Sequence, residues 1–243
     1  MSDKVQTDPS GFETLENFSE APRFNKWLYE KISGFVSGQI LEIGSGIGNI
    51  SAYLLNDNPG VTLSDLRPEY CQILENRFGR NPNLRGIYSL DLSVTDFDSR
   101  YSVFLEKFDT VIALNVIEHI AEDSLAIRNA IRLLRKNGKL VILVPAGRWL
   151  YNSLDRQLGH FKRYSGPGLK RQMESAGLAV SYFGYFNAAA ILGWFVIGNI
   201  LGKKLVSLSQ LKIFNKLVPV FKLLDLFITP FTGISVISTG IKK

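Results

Sequence analysis

The chain's two histidines, His119 and His160, both fall among other ionisable side chains. His160 lies in Asp155-Arg156-Gln157-Leu158-Gly159-His160-Phe161-Lys162-Arg163-Tyr164, and His119 follows Glu118. An imidazole titrates near neutral pH, so a histidine oriented by a carboxylate is suited to take a proton from a reacting hydroxyl. Asp155 and His160 are candidates for that orienter and base, with Tyr164 as a third catalytic group. Lys162 and Arg163 can grip a phosphate or carboxylate on a substrate. The same residues also make a loop brace, with Asp155 paired to Arg163 and His160 capping a backbone carbonyl. Glu118-His119 can brace the helix that opens there, and His119 is also placed among the acceptor-binding residues.

A second constellation suits a nucleoside. Leu41-Glu42-Ile43-Gly44-Ser45-Gly46-Ile47-Gly48 puts three glycines in a turn between a β-rich run and a helical one, where bare backbone can approach a ligand closely. A dinucleotide fingerprint would place its third glycine at 49, where this chain has Asn49; here it falls at Gly48. Asp65 ends the next β-rich run, about where an acid reaches ribose hydroxyls. A carboxylate only accepts hydrogen bonds, so it suits a vicinal diol and repels a 2′-phosphate.

Glu-x-Gly-x-Gly-x-Gly resembles motif I of the class I S-adenosylmethionine-dependent methyltransferases. Phe108-Asp109-Thr110-Val111-Ile112-Ala113-Leu114-Asn115-Val116-Ile117-Glu118-His119-Ile120 is similar to the fourth-strand motif of their quinone- and lipid-modifying group. Leu133-Leu134-Arg135-Lys136-Asn137-Gly138-Lys139-Leu140 is similar to that group's leucine-rich segment, and residues 155–164 to an Asp-x-x-x-Gly-His-x-Arg-Arg-Tyr stretch of a subgroup, with Lys162 in place of the first arginine. The resemblance covers about residues 23–178. It implies S-adenosylmethionine as cofactor, held by Glu42, Gly44, Ser45, Gly46, Gly48, Asp65, Leu66, Asp91, Leu92 and Asn115, with Asp91 on the adenine amino group and Leu92 against the ring. It also implies that the helix around Arg23–Tyr29 folds over the methionine part of the cofactor, which places Trp27 among the substrate contacts. Some quinone O-methyltransferases bind a divalent metal through an acid three residues before a Glu-His pair. The matching residue here is Asn115, a weak ligand for a hard cation, so no metal is expected.

These residues need a scaffold, and the chain alternates β-rich and helical runs from Gln39 onward. Strands are expected at 39–44, 61–65, 84–91, 108–115, 139–145, 178–185 and 234–241. Helices are expected at 49–56, 68–78, 99–107 and 122–136, with another between Pro167 and Gly177. The expected fold is α/β: a doubly wound, mostly parallel seven-stranded sheet with its last strand antiparallel. Residues 1–22 read as a flexible N-terminal segment, 23–186 as the cofactor-binding core, 187–233 as an apolar helical insertion and 234–243 as the last strand.

At 243 residues with 46% hydrophobic and 21% charged side chains, the chain has ample material for a core. One cysteine, Cys71, excludes an internal disulfide and a cysteine-based zinc site. Residues 1–21 carry no apolar signal-peptide core, so the expected compartment is the cytoplasm. Lysines 203, 204, 212, 216 and 222 face one acid, Asp225, within 187–233, so this segment alone carries most of the net +6. Charge in such an apolar stretch, without the motifs of RNA-binding modules, points to an anionic membrane surface at the inner face and away from nucleic acid. Two readings stand for the insertion, a lid over the acceptor pocket and a peripheral membrane contact; Pro219 is expected to kink or restart its second helix. The expected activity is methylation of an oxygen or carbon on a lipophilic or lipid-linked small molecule such as a quinol, a prenyl compound or a lipid-linked sugar. The alternatives are a nicotinamide-dependent oxidoreductase, which lacks a Tyr-x-x-x-Lys pair here, and a non-catalytic cofactor-binding membrane adaptor.

Overall fold

A computed structural model describes residues 9–243. Its sheet contains β1 (Ile40–Ile43), β2 (Val61–Asp65), β3 (Leu84–Ser89), β4 (Phe108–Leu114), β5 (Leu134–Pro145), β6 (Leu178–Phe186) and β7 (Ser235–Lys242) in the order β3-β2-β1-β4-β5-β7-β6. β1 to β5 run parallel, and β7 runs antiparallel between β5 and β6. The helices are α1 (Pro9–Ser19), α2 (Pro22–Ser33), α3 (Ser51–Asp57), α4 (Pro68–Phe78), α5 (Phe97–Arg100), α6 (Asp123–Leu133), α7 (Ser153–Gln157), α8 (Gly166–Ser175), α9 (Ala190–Phe195) and α10 (Leu208–Ile228).

Alternation along the central strands explains the two packed layers. Leu41 and Ile43 of β1, with Val111 and Ala113 of β4, face α6 and α8 across one cluster. Ile40 and Ile112 point the other way, into a cluster with Trp27, Leu54, Leu74 and Val218. Successive side chains on a strand take opposite faces, so strands buried on both sides are apolar at nearly every position. Strand order reverses between β1 and β4. In doubly wound sheets a ligand binds at that switch point, outside the carboxyl ends of the strands.

The boundaries follow local chemistry. Pro68 opens α4 because the first helical turn needs no N–H there. Expected spans differ most at 99–107, where the chain forms only α5 and a 3-10 turn at Ser102–Phe104, and at β5, which starts five residues early because Leu134 pairs with Phe108 ahead of the register shift. Within the segment read as flexible, residues 9–19 form α1, and residues 1–8 lie outside the described residues. α10 also runs through Pro219 without interruption. A proline inside a helix costs about 3 kcal/mol, and here Leu211 and Val218 are both buried before it while Phe221 packs after it, which holds the two halves in line.

Candidate functional site

The glycine turn is built as its sequence demands. Gly44, Gly46 and Gly48 have φ of 69°, 54° and 87°, a region that side chains with a Cβ rarely enter. A Cβ on Gly44 would lie 2.4 Å from Val116, and one on Gly46 2.9 Å from Leu15. The turn is thus pressed between the loop after β4 and helix α1. Asn49 Nδ2 also donates to the Leu15 carbonyl at 2.9 Å. α1 therefore covers the glycine turn, whereas the helix around Arg23–Tyr29 was expected over the methionine part of the cofactor. That helix is instead a core element: Trp27 is 2% exposed and packs edge-on against Phe186 at 4.7 Å, so it is removed from the substrate contacts.

Three acids stand in order at the carboxyl ends of β1, β2 and β3. Glu42 is buried beside Ser51, whose hydroxyl donates to it, yet burial outweighs that bond and pushes its pKa up to about 7. Asp65 accepts from the Gly46 N–H at 2.9 Å and the Arg67 N–H at 3.0 Å. Burial raises its pKa, partly offset by those backbone donors. Asp91 accepts from the backbone and hydroxyl of Ser93. Leu66 is exposed beside Asp65, and Ser45 is buried within the turn. Asn115 lies exposed with φ of 53° where β4 ends, next to Val116 and the glycine turn. Leu92, expected against the adenine ring, is 2% exposed and packed in the core cluster.

The loop after β5 meets the loop after β4. Asn152 caps α7 in a reciprocal box in which Asp155 Oδ2 accepts from the Asn152 N–H at 3.1 Å, so Asp155 is fixed by the helix start itself. Asp155 Oδ1 lies 2.8 Å from His160 Nδ1 and 2.8 Å from Arg163 Nε, and Trp194 Nε1 reaches Oδ2 at 3.3 Å. Burial opposes its charge, but the bond with His160 and the charge of Arg163 prevail and hold its pKa below the usual range. The orienter and the brace are therefore one network. His160 is seated against the post-β4 loop, its ring edge-on to His119 with centroids 4.8 Å apart, and Phe161 N–H donates to the Glu118 carbonyl at 2.8 Å.

Other members of the expected set are out of reach. Arg163 is 2% exposed, bonded to Asp155 and to the Ala146 carbonyl and stacked 4.8 Å from Trp194, so it grips no acceptor. Burial lowers its pKa, the Asp155 charge notwithstanding. The buried Tyr164 hydroxyl donates to Asp123 at 2.7 Å; burial and that carboxylate raise its pKa, which removes it from the acid–base candidates. Lys162 lies 2.5 Å from the same Asp123 and remains half-exposed.

The residue that sequence reasoning underrated is Glu118. Its side chain is fully buried and both carboxyl oxygens lack a hydrogen-bond partner. Burial pushes its pKa up to about 8, only partly countered by its own backbone N–H and by Arg163. Oε1 lies 4.0 Å from His160 Nε2. Glu118, His119 and His160 each offer a donor atom within 4.8 Å of the others, which is metal-ligand chemistry as well as acid–base chemistry. The sequence reading set a metal aside because of Asn115; the structure brings His160 to the Glu-His pair from another loop.

The fold, the glycine turn at the switch point and the ordered acids define the class I methyltransferase architecture. A family model described as a methyltransferase domain matches residues 18–182, and the chain belongs to that family of S-adenosylmethionine-dependent methyltransferases. It is 24% identical over 141 residues to a ubiquinone biosynthesis O-methyltransferase of Xanthomonas oryzae pv. oryzae (strain PXO99A), covering 53% of this chain and 57% of that protein. The chain thus spans little more than half the length of the curated relatives it matches. A chain of the complex between the Haloferax volcanii Trm112 methyltransferase activator and a putative methyltransferase superposes with a TM-score of 0.63 at 13% identity, covering 97% of this chain and 98% of that one. The trans-methyltransferase CalH, solved in complex with SAH, gives 0.50 at 22% identity over 68% of this chain and 52% of that one. At these identities the structural likeness concerns the fold.

Proposed function

We propose that this chain methylates an oxygen of a lipophilic small molecule, with a carbon acceptor as the second reading. The observation that carries the oxygen is the buried pair of His160 and Asp155, 2.8 Å apart and seated against the loop that follows β4. Methylating a hydroxyl requires removal of its proton. In the tautomer that donates Nδ1–H to Asp155, Nε2 is the ring's free acceptor, and it lies 4.0 Å from Glu118 Oε1. Asp155 remains ionised and stabilises the imidazolium that forms. Glu118 holds its own proton near neutrality and so does not compete for the one that His160 takes.

S-adenosylmethionine supplies an activated methyl group on a sulfonium leaving group, and it fits the residues present. The glycine turn holds positive φ at Gly44, Gly46 and Gly48, which bends its backbone across the switch point. Asp65 spends one lone pair of each oxygen on Gly46 and Arg67 and keeps the others for a ribose diol. Asp91, Leu66, Ser45 and Asn115 border the same edge, with Glu42 buried behind the turn. Leu15 of α1 lies over Gly46.

One observation supports a lipophilic acceptor: the relatives of Xanthomonas act in ubiquinone biosynthesis by name. Incubating the protein with radiolabelled S-adenosylmethionine and a lipid extract tests the class of acceptor: label is expected in an apolar species. His160→Ala should lower turnover roughly 10²-fold or more while cofactor affinity holds, the usual scale for a lost general base. Normal turnover in that variant would move the acceptor to a carbon that needs no base there. Binding of NAD in place of S-adenosylmethionine would return the chain to the oxidoreductase reading.

A further inference from the structure

The insertion of residues 187–233 has two sides. Its inner side is committed to the protein. Asn152 Nδ2 donates to Asn199 Oδ1 at 2.8 Å and Trp194 reaches Asp155, so α9 and the turn after it are docked on the acid–base loop. α10 turns Leu211 and Val218 inward, with Phe214 and Phe221 packed against the core. Lys222 pairs with Glu30 at 2.5 Å and Lys212 with Glu20 at 3.7 Å, which ties the helix to α1 and α2. The aromatic pair Phe214 and Phe221 is thus unavailable as an external anchor.

The outer side is another set of residues. Ile213, Leu217, Val220, Leu224 and Phe227 recur at alternating steps of four and three, and Phe231 continues the row past the helix end. That spacing keeps one face of a helix apolar over its whole length. The face points to solvent: Ile213 is 60% exposed, Phe227 71% and Phe231 82%. Leu192, Ile200 and Leu201 are exposed in the other half of the insertion. A monomer rarely presents so continuous an apolar surface to water without something that covers it.

Charge identifies what covers it. The insertion's one acid, Asp225, is 1% exposed and spends its oxygens on the backbone N–H groups of Asn187 and Ala188, at 2.7 and 2.9 Å. The outward side therefore carries no carboxylate, while Lys216 is exposed beside the apolar row and Lys203 and Lys204 are exposed in the connection that leads into α10. Lys216 stands one turn from both Ile213 and Val220 on the helix surface. A second copy docked about a twofold axis would bring the same lysines toward one another with no acid between them. An anionic bilayer meets both demands at once, apolar depth and negative headgroups. No helix among the described residues is long and apolar enough to cross a membrane, so contact is made from the side.

We propose that the outer face of α10 seats this protein on an anionic lipid surface, with Ile213, Val220, Leu224, Phe227 and Phe231 entering the acyl boundary and Lys203, Lys204 and Lys216 at headgroup level. The test is co-sedimentation of the full chain with phosphatidylcholine vesicles, with and without phosphatidylglycerol. Binding is expected with phosphatidylglycerol and should weaken as salt rises. Val220→Asp with Phe227→Asp should lower partitioning at least about tenfold, since charge replaces apolar depth. Changing Lys203, Lys204 and Lys216 to Gln should cost about fivefold for each lysine. All of these side chains are exposed, so melting temperature and cofactor affinity should match the parent, and a failure here leaves the proposed reaction untouched. No binding by the parent overturns the proposal, as does binding unchanged in the Val220→Asp, Phe227→Asp variant. Equal binding to both vesicle types overturns its electrostatic part. A dimer that this variant disperses, without vesicle binding, gives the face to a second copy.

Discussion

Asp155→Asn separates the charge of Asp155 from its shape. Asn retains an acceptor for His160 but carries no charge, and its amide nitrogen must face one of the donors now around Oδ2: the Asn152 N–H, the Trp194 indole or the Arg163 guanidinium. The decisive partner is Arg163. Its side chain is 1% exposed and that of Asp155 is 0%, so the substitution leaves a buried guanidinium without its counter-charge. Breaking a buried pair in this way costs about 3–5 kcal/mol. For a domain of this length each kcal/mol moves Tm by about 2–4 °C, so the expected fall is roughly 6–20 °C. Scanning calorimetry reads it directly. Arg163→Met in the same background should recover part of the loss, with a coupling on the order of 1 kcal/mol or more between the two sites. The insertion should also loosen, because Trp194 loses its acceptor, and limited proteolysis between residues 187 and 207 should accelerate. An Asp155→Asn protein that melts within about 2 °C of the parent, with additive double-mutant behaviour, would refute the claim that this ion pair braces the loop.

Two further outcomes are expected. Asp65→Ala should weaken S-adenosylmethionine binding on the order of 1.5–3 kcal/mol through loss of charge-assisted bonds to ribose; unchanged affinity by calorimetry would mean that the ribose lies elsewhere. Glu118→Gln concerns pH. The native carboxyl holds its proton up to about pH 8, against an ordinary value of 4.5. The folded state therefore binds more protons than the unfolded state between those limits, and the stability this group lends is full below pH 4.5 and lost as pH rises toward 8. Gln has no proton to lose, so the variant's unfolding free energy should fall less steeply across that window; parallel urea-derived stability curves for the two proteins would contradict the burial argument.

What was legible in the sequence was whatever one strand or one turn decides by itself. Val61–Asp65 and Pro68–Phe78 are found where expected, because a β-branched run ending in an acid and a proline at a first helical turn are local signals. The glycine turn was legible for the same reason. What was not legible depends on partners far along the chain. Trp27 looked available to a ligand until Phe186 covered it, and nothing near Trp27 announces that contact. The cation of Arg163 reads as a surface grip in any sequence, yet its burial is a property of Asp155, Ala146 and Trp194 together. α1 did leave a signal, in the apolar spacing of Phe12, Leu15 and Phe18, but a helix this short is decided by its packing, here on the glycine turn and Tyr70. Glu118 was visible as half of a Glu-His pair, but its two orphaned oxygens exist only because the post-β5 loop closes over it. The insertion shows the limit most sharply. Its apolar content and lysines were plain, whereas the division into an inner face that holds Asp155 and an outer face free of acids needed the docking of α10 on α2.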